Sequence, residues 1–200
     1  MSFIHRFVPG KTPGARTLVM LHGTGGDETS LLEFGPALDP SASILGIRGK
    51  STEEGVNRFF RRFEEGVFDE ADILVKAAEL GEFLVEAKAT YGIGEIVLVG
   101  YSNGANMAAA LLLLHPEPID GAVMFRASLP IEPPNKPDLT GKRALLLTGA
   151  HDEMTPLSGA HRLADFLAAC GCRVDQKVWQ AGHGLGRDDV TAAAGWLAAG

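Results

Sequence analysis

Short continuous apolar runs alternate along the chain with longer stretches in which apolar positions recur every three or four residues. Leu18-Val19-Met20-Leu21, Ile96–Val99, Gly121–Phe125 and Arg143–Leu147 are of the first kind, as expected of strands covered on both sides. Phe3–Val8, Ser41–Ile47 and Arg173–Trp179 are predicted as further strands. Helices are predicted over Ala71–Ala89, Asn103–Leu114, Leu157–Ala169 and Asp188–Ala199, although Gly81 lowers the propensity of the first. Pro9-Gly10 and Pro13-Gly14 mark a turn-rich connection, and Pro130–Pro137 reads as surface loop. Residues 48–70 mix glycine, charge and phenylalanine without one clean period, so no element is predicted there. Repeated strand–helix alternation implies an α/β fold: a mostly parallel central sheet with helices on both faces. No internal repeat or low-complexity linker divides it, so residues 1–200 are read as one domain.

Composition excludes several classes. The chain is 46% apolar and 22% charged, as in ordinary globular proteins, and its length suffices for a sizeable core. Its longest apolar run, Met107–Leu114, is too short to span a bilayer, so no stable membrane insertion is expected. The first seven residues lack a signal peptide's continuous apolar segment and cleavage site, which makes a cytoplasmic location the expectation. The net charge is −7, and no basic cluster is large enough to track a phosphate backbone. Arg58, Arg61 and Arg62 are followed at once by Glu64, Glu65, Asp69 and Glu70, a solvated mixed face. Nucleic acid is not an expected partner. Cys170 and Cys172, separated only by Gly171, supply neither a disulfide framework nor four zinc ligands. They read as packing at a helix end rather than a redox pair. No other metal-ligand spacing is evident.

The chemistry concentrates at strand ends. Gly100-Tyr101-Ser102-Asn103-Gly104 joins an apolar strand to an alanine-rich helix, the pattern of a nucleophile elbow. A serine hydroxyl is weak at neutral pH and needs a base beside it. His183, in a Gly-rich loop between the last strand and last helix, is the best candidate, because its ordinary pKa suits proton transfer in both directions. Asp152, just past the Arg143–Leu147 strand, can orient the imidazole, with Glu153 as the rival acid and His151 as a poor rival base. The order Ser102, Asp152, His183 is the α/β-hydrolase order. The backbone N–H groups of Thr24, in His22-Gly23-Thr24-Gly25-Gly26, and of Asn103 are the candidate oxyanion donors. Asn106 and Glu28 are candidates to brace these turns. Gly49-Lys50-Ser51 fails as a phosphate loop, since Ile44 stands where the earlier glycine belongs. Gly23-Thr24-Gly25 likewise fails as a dinucleotide fingerprint, with Glu28 in the third glycine's place.

Taken together, Leu21–Glu28, Gly100–Asn106, Gly149-Ala150-His151-Asp152 with Pro156, and Gly182-His183 resemble the phospholipase/carboxylesterase family of the α/β-hydrolases. Arg58-Phe59-Phe60-Arg61-Arg62 further resembles a bacterial subgroup of small serine esterases. Ala105 departs from the second glycine common after the elbow, a small change. The resemblance implies a compact fold without a large cap, Ser102, Asp152 and His183 as the triad, and Thr24 and Asn103 as oxyanion donors. It implies no prosthetic cofactor, a small-molecule ester substrate, and members that often form homodimers. Phe59, Phe60, Phe63 and Phe68 could form an apolar flap or belong to the core; Met154 and Leu185 adjoin catalytic positions and are better pocket candidates. Arg48 and Arg58 are candidates to meet an anionic substrate. The expected activity is cleavage of small to medium carboxylic esters. The alternatives are an acyl-thioesterase or lysophospholipase with the same residues, and a non-catalytic small-molecule-binding protein on the same fold.

Overall fold

A computed structural model describes residues 2–12, 14–53, 55–64 and 66–199. The expectation at Pro13 lies outside the described residues. The chain opens with β1 (His5–Val8) and β2 (Thr17–Leu21), then a 3-10 turn (Leu32–Phe34) and the short helix α1 (Gly35–Leu38). After β3 (Ser43–Ile47) come two small hairpins: β4 (Ser51–Glu53) with β5 (Val56–Arg58), and β6 (Arg62–Glu64) with β7 (Val67–Phe68). The stretch without a clean period is therefore two ribbons of two- and three-residue strands, too short to show an alternation.

Longer elements follow: α2 (Glu70–Tyr91), β8 (Ile96–Tyr101), α3 (Asn103–Leu114), β9 (Gly121–Phe125), β10 (Arg143–Gly149), α4 (Leu157–Ala169), β11 (Arg173–Trp179) and α5 (Arg187–Ala198). The boundaries of α2 follow from its caps. The Asp69 side chain accepts from Asp72 N at its start, and Gly92 adopts a left-handed φ of 63° at its end.

Seven strands form one sheet in the order β1-β3-β2-β8-β9-β10-β11. All neighbours are parallel except β1, which runs antiparallel to β3 at the edge. Alternate side chains feed two cores. Val19, Leu21, Leu98, Met124 and Leu146 pack beneath α2, α3 and α4. Leu18, Met20, Val97, Val123 and Leu145 face the opposite way, towards α1 and α5. Helix α3 is buried from Asn103 to Leu113, which accounts for its nearly unbroken apolar sequence. Among the described residues no large cap is inserted, and no helix is long and apolar enough to cross a membrane.

Candidate active site

Parallel pairing brings the C-terminal ends of β8, β9, β10 and β11 to one edge of the sheet, where ligands of open α/β sheets bind. Ser102 occupies the turn from β8 into α3 with φ 53° and ψ −116°, a left-handed backbone that a serine adopts only under constraint. Its N–H donates to Phe125 O at 2.9 Å, tying the turn to β9. The flanking glycines permit this tight packing. A Cβ at Gly100 would lie 2.5 Å from Gly104 O, and one at Gly104 would run into the carbonyls of Leu21 and His22.

The Ser102 Oγ lies 3.0 Å from His183 Nε2. On the other side of the ring, His183 Nδ1 is 2.8 Å from Asp152 Oδ2 and 3.0 Å from Oδ1. A carboxylate only accepts, so Nδ1 carries the proton and Nε2 is free to accept from the serine hydroxyl. The Asp152 side chain is fully buried, and its Oδ1 also accepts from the N–H groups of Met154 and Thr155 at 2.9 Å each. These bonds orient its carboxyl group towards the imidazole. His151 turns outward and bonds Gln180 at 3.0 Å, while Glu153 is exposed.

Asn103 occupies the first position of α3, so its N–H has no intrahelical acceptor. Its side chain does something else: Oδ1 accepts from Phe59 N at 2.7 Å. The Thr24 loop is held by Asn57 on one side and His22 on the other. Gly25 N donates to Asn57 O at 2.9 Å, and Asn57 Nδ2 donates to Gly26 O at 2.9 Å. Beneath it, His22 is 1% exposed, with Nδ1 donating to Gly23 O at 2.7 Å and Nε2 accepting from Gly49 N at 3.0 Å. Burial drives the His22 pKa below its ordinary value, which keeps it neutral in that tautomer. The β4–β5 hairpin and its continuation thus touch both loops that present the candidate oxyanion donors.

Phe59 and Phe60, candidates for an apolar flap lining the pocket or for the core, are 2% and 0% exposed. The Phe59 ring packs 4.7 Å from His22, and Phe60 meets Phe68 edge-on at 5.5 Å, so both belong to the core beneath the site. Phe63 points to solvent. Met154 is 42% exposed beside Asp152, and Leu185 is half-buried against the core that faces α1 and α5. Asn106 accepts from Ser128 N at 2.9 Å, and Glu28 forms an ion pair with Arg48. Arg58 lies close to Glu53, 3.7 Å away. Cys170 and Cys172 are free and buried, and burial raises the Cys172 thiol to about 11, suppressing thiolate chemistry. Among the described residues, no cluster of metal-ligating side chains is present.

Sequence reasoning missed the residues that hold the His183 loop. Tyr101 donates its hydroxyl to His183 O at 3.2 Å. Arg126, fully buried, donates Nε to Gly182 O at 3.1 Å and Nη2 to Gly184 O at 2.8 Å. Its guanidinium also forms a two-pronged ion pair with Asp189 at 2.8 and 2.9 Å. An arginine inside Met124-Phe125-Arg126-Ala127, directly after an apolar run, was the available signal.

Comparison with known proteins agrees with this architecture. Residues 58–199 match the phospholipase/carboxylesterase family model. The chain is 38% identical over 181 residues to MhqD of Bacillus subtilis (strain 168), covering 90% of each. The carboxylesterase of Bacillus cereus superposes with a TM-score of 0.95 at 36% identity, covering 99% of this chain and 94% of that one. A carboxylesterase from Mesorhizobium loti superposes with a TM-score of 0.92 at 31% identity, covering 99% and 95%. The class defined by fold and kinship is the α/β-hydrolase. Within it, the chain belongs to the phospholipase/carboxylesterase family and is related to bacterial esterases, which supports hydrolase activity in general.

Proposed function

We propose that the protein is a serine carboxylesterase that cleaves small to medium carboxylic esters through an acyl-enzyme intermediate. The observation that carries this reading is the relay from Ser102 Oγ through His183 to the buried Asp152, with hydrogen bonds of 3.0 and 2.8 Å. His183 Nε2 takes the hydroxyl proton as Ser102 attacks the ester carbonyl. The resulting oxyanion is stabilised by the N–H groups of Thr24 and Asn103, donors oriented before charge develops. The protonated imidazole, stabilised by Asp152, then gives its proton to the departing alkoxide. Water enters, loses a proton to His183 and attacks the acyl carbonyl. Collapse of that second tetrahedral intermediate returns the proton to Ser102 and releases the acid. The absence of a large cap among the described residues supports a small to medium ester, with Met154 and Leu185, which adjoin the relay in sequence, the candidates to meet it.

The test is covalent. A fluorophosphonate should label Ser102, identified by peptide mass, and Ser102→Ala should lose both labelling and hydrolysis of p-nitrophenyl acetate. A folded wild-type protein that is neither labelled nor active would overturn the reading. Comparing kcat/KM for oxygen esters, acyl thioesters and lysophospholipids then fixes the substrate class.

A further inference from the structure

Arg126 lies at the end of β9, between the strand that delivers Ser102 and the strand that delivers Asp152. Among the described residues, Ser102 and Arg126 are the non-glycine positions with positive φ, 53° and 58°. Holding a side chain of this size in the left-handed region costs stability, so the surrounding contacts must fix it there. Those contacts are specific. Arg126 N donates to Leu147 O at 2.9 Å, and Nη1 donates to the same carbonyl at 3.0 Å, anchoring the residue across β10. From that anchor the guanidinium reaches the loop after β11.

Three successive carbonyls of that loop accept from side chains: Gly182 O from Arg126 Nε, His183 O from Tyr101 Oη, and Gly184 O from Arg126 Nη2. Glycines on both sides of His183 leave its backbone otherwise free to rotate. The Arg126 carbonyl in turn accepts from Thr155 Oγ1 at 3.3 Å, and Thr155 N donates to Asp152 Oδ1. One buried residue therefore touches the loops that carry both His183 and Asp152. Asp189 holds the guanidinium aimed, and its Oδ2 also caps α5 by accepting from Gly186 N at 2.9 Å.

We propose that Arg126, held by Asp189, is a positioning residue for the reaction: it sets the imidazole of His183 relative to Ser102 and Asp152 by clamping the two carbonyls that flank it. This rests on the serine-esterase reading, since positioning matters only if His183 moves protons. A displacement of about 1 Å in a catalytic group lowers turnover by about 10²-fold, while binding of a small ester, which does not touch Arg126, stays the same.

Removing Arg126 alone would leave a buried carboxylate unpaired and risk unfolding. The test therefore uses Arg126→Met/Asp189→Asn, which removes both charges and keeps an oxygen to cap α5, together with Arg126→Lys, which keeps the ion pair but cannot fork to both carbonyls. Circular dichroism and cooperative urea unfolding establish the fold. For p-nitrophenyl acetate the double variant should lose about 30- to 100-fold in kcat with KM within about twofold of wild type, and the lysine variant should fall between. In proton NMR, the downfield Nδ1–H resonance of His183 in the wild type should broaden or vanish in the double variant. A folded double variant that keeps both the resonance and kcat within about twofold would overturn the proposal. If the double variant does not fold, Arg126→Lys decides: full wild-type kcat and an unchanged resonance would reject the clamp. A wild type that neither hydrolyses esters nor takes up fluorophosphonate would instead reject the esterase reading, with the resonance still reporting on the clamp.

Discussion

Glycines inside helices offer a sharp test of how tightly the Ser102 turn is built. In a helix interior, glycine to alanine stabilises by about 0.8–1.0 kcal/mol when the methyl has room. Gly195 in α5 has that room, with nothing within 4 Å of an added Cβ. Gly195→Ala should therefore raise Tm by about 2–4 °C, the scale for a chain of this size. Gly104 in α3 is the opposite case. An added Cβ would meet Leu21 O and would lie 2.5 Å from His22 O and from Leu21 C, all backbone atoms of β2 and its continuation. Ordinary van der Waals contact begins near 3.5 Å, so helix and strand would have to separate by about 1 Å. Overpacking of this kind costs about 1–3 kcal/mol, more than the propensity gain. Helix α3 cannot tilt away cheaply, because it is buried from Asn103 to Leu113. The separation would also fall between Asn103 and the loop that carries Thr24. Gly104→Ala should thus lower Tm by several degrees and lower kcat by about 10²-fold. Thermal unfolding by calorimetry and turnover of p-nitrophenyl acetate, run side by side for both variants, check the pair. If Gly104→Ala matches Gly195→Ala in both measurements, the elbow is not built by close backbone approach and the account of its glycines fails.

Two further outcomes bear on the same loops. Asp152→Asn keeps shape but removes the acceptor that fixes Nδ1–H on His183; the corresponding change in a well-studied serine protease lowers kcat about 10⁴-fold, and a loss below tenfold here would deny Asp152 its role. The His22 pKa is lowered by burial, so the unfolded chain takes up a proton near pH 6.5 while the folded one does not. Stability from this group is therefore complete above about pH 6.5 and is lost as pH falls from there towards the folded pKa, by at most about 1.4 kcal/mol per pH unit. NMR titration of the His22 ring checks the sign: a folded-state midpoint at or above 6.5 would contradict it.

Much of the fold was legible because burial leaves a strong trace in sequence. Gly121–Phe125, Leu157–Ala169 and Arg173–Trp179 have the observed boundaries, and Asn103–Leu114 does as well. The hairpins over 51–68 were not legible. Their strands are two or three residues long, and their turns rest on Gly55 and Gly66 at φ 74° and 76°. Phe59 and Phe60 sit there because the hairpin continuation folds beneath the site, a non-local contact that neither period nor propensity encodes. The same holds for Asn57, whose hold on the Thr24 loop spans 31 residues.

The site divides along this line. The proposed nucleophile and one proposed oxyanion donor are adjacent residues in a turn whose shape is set locally, by Gly100 and Gly104. The proposed base, His183, lies in a glycine-flanked loop with little local preference for any shape. Side chains must supply the order that the backbone lacks there, and they come from β8, β9 and α5 as Tyr101, Arg126 and Asp189. Across the sheet, the ends of β8, β9, β10 and β11 deliver Ser102, Arg126, Asp152 and His183 in spatial succession. The one member of that series that does not join the hydroxyl–imidazole–carboxylate relay is buried where it contacts the loops of two that do. A local motif is enough to single out Ser102; the His183 loop is held by a residue that only the folded sheet brings to it.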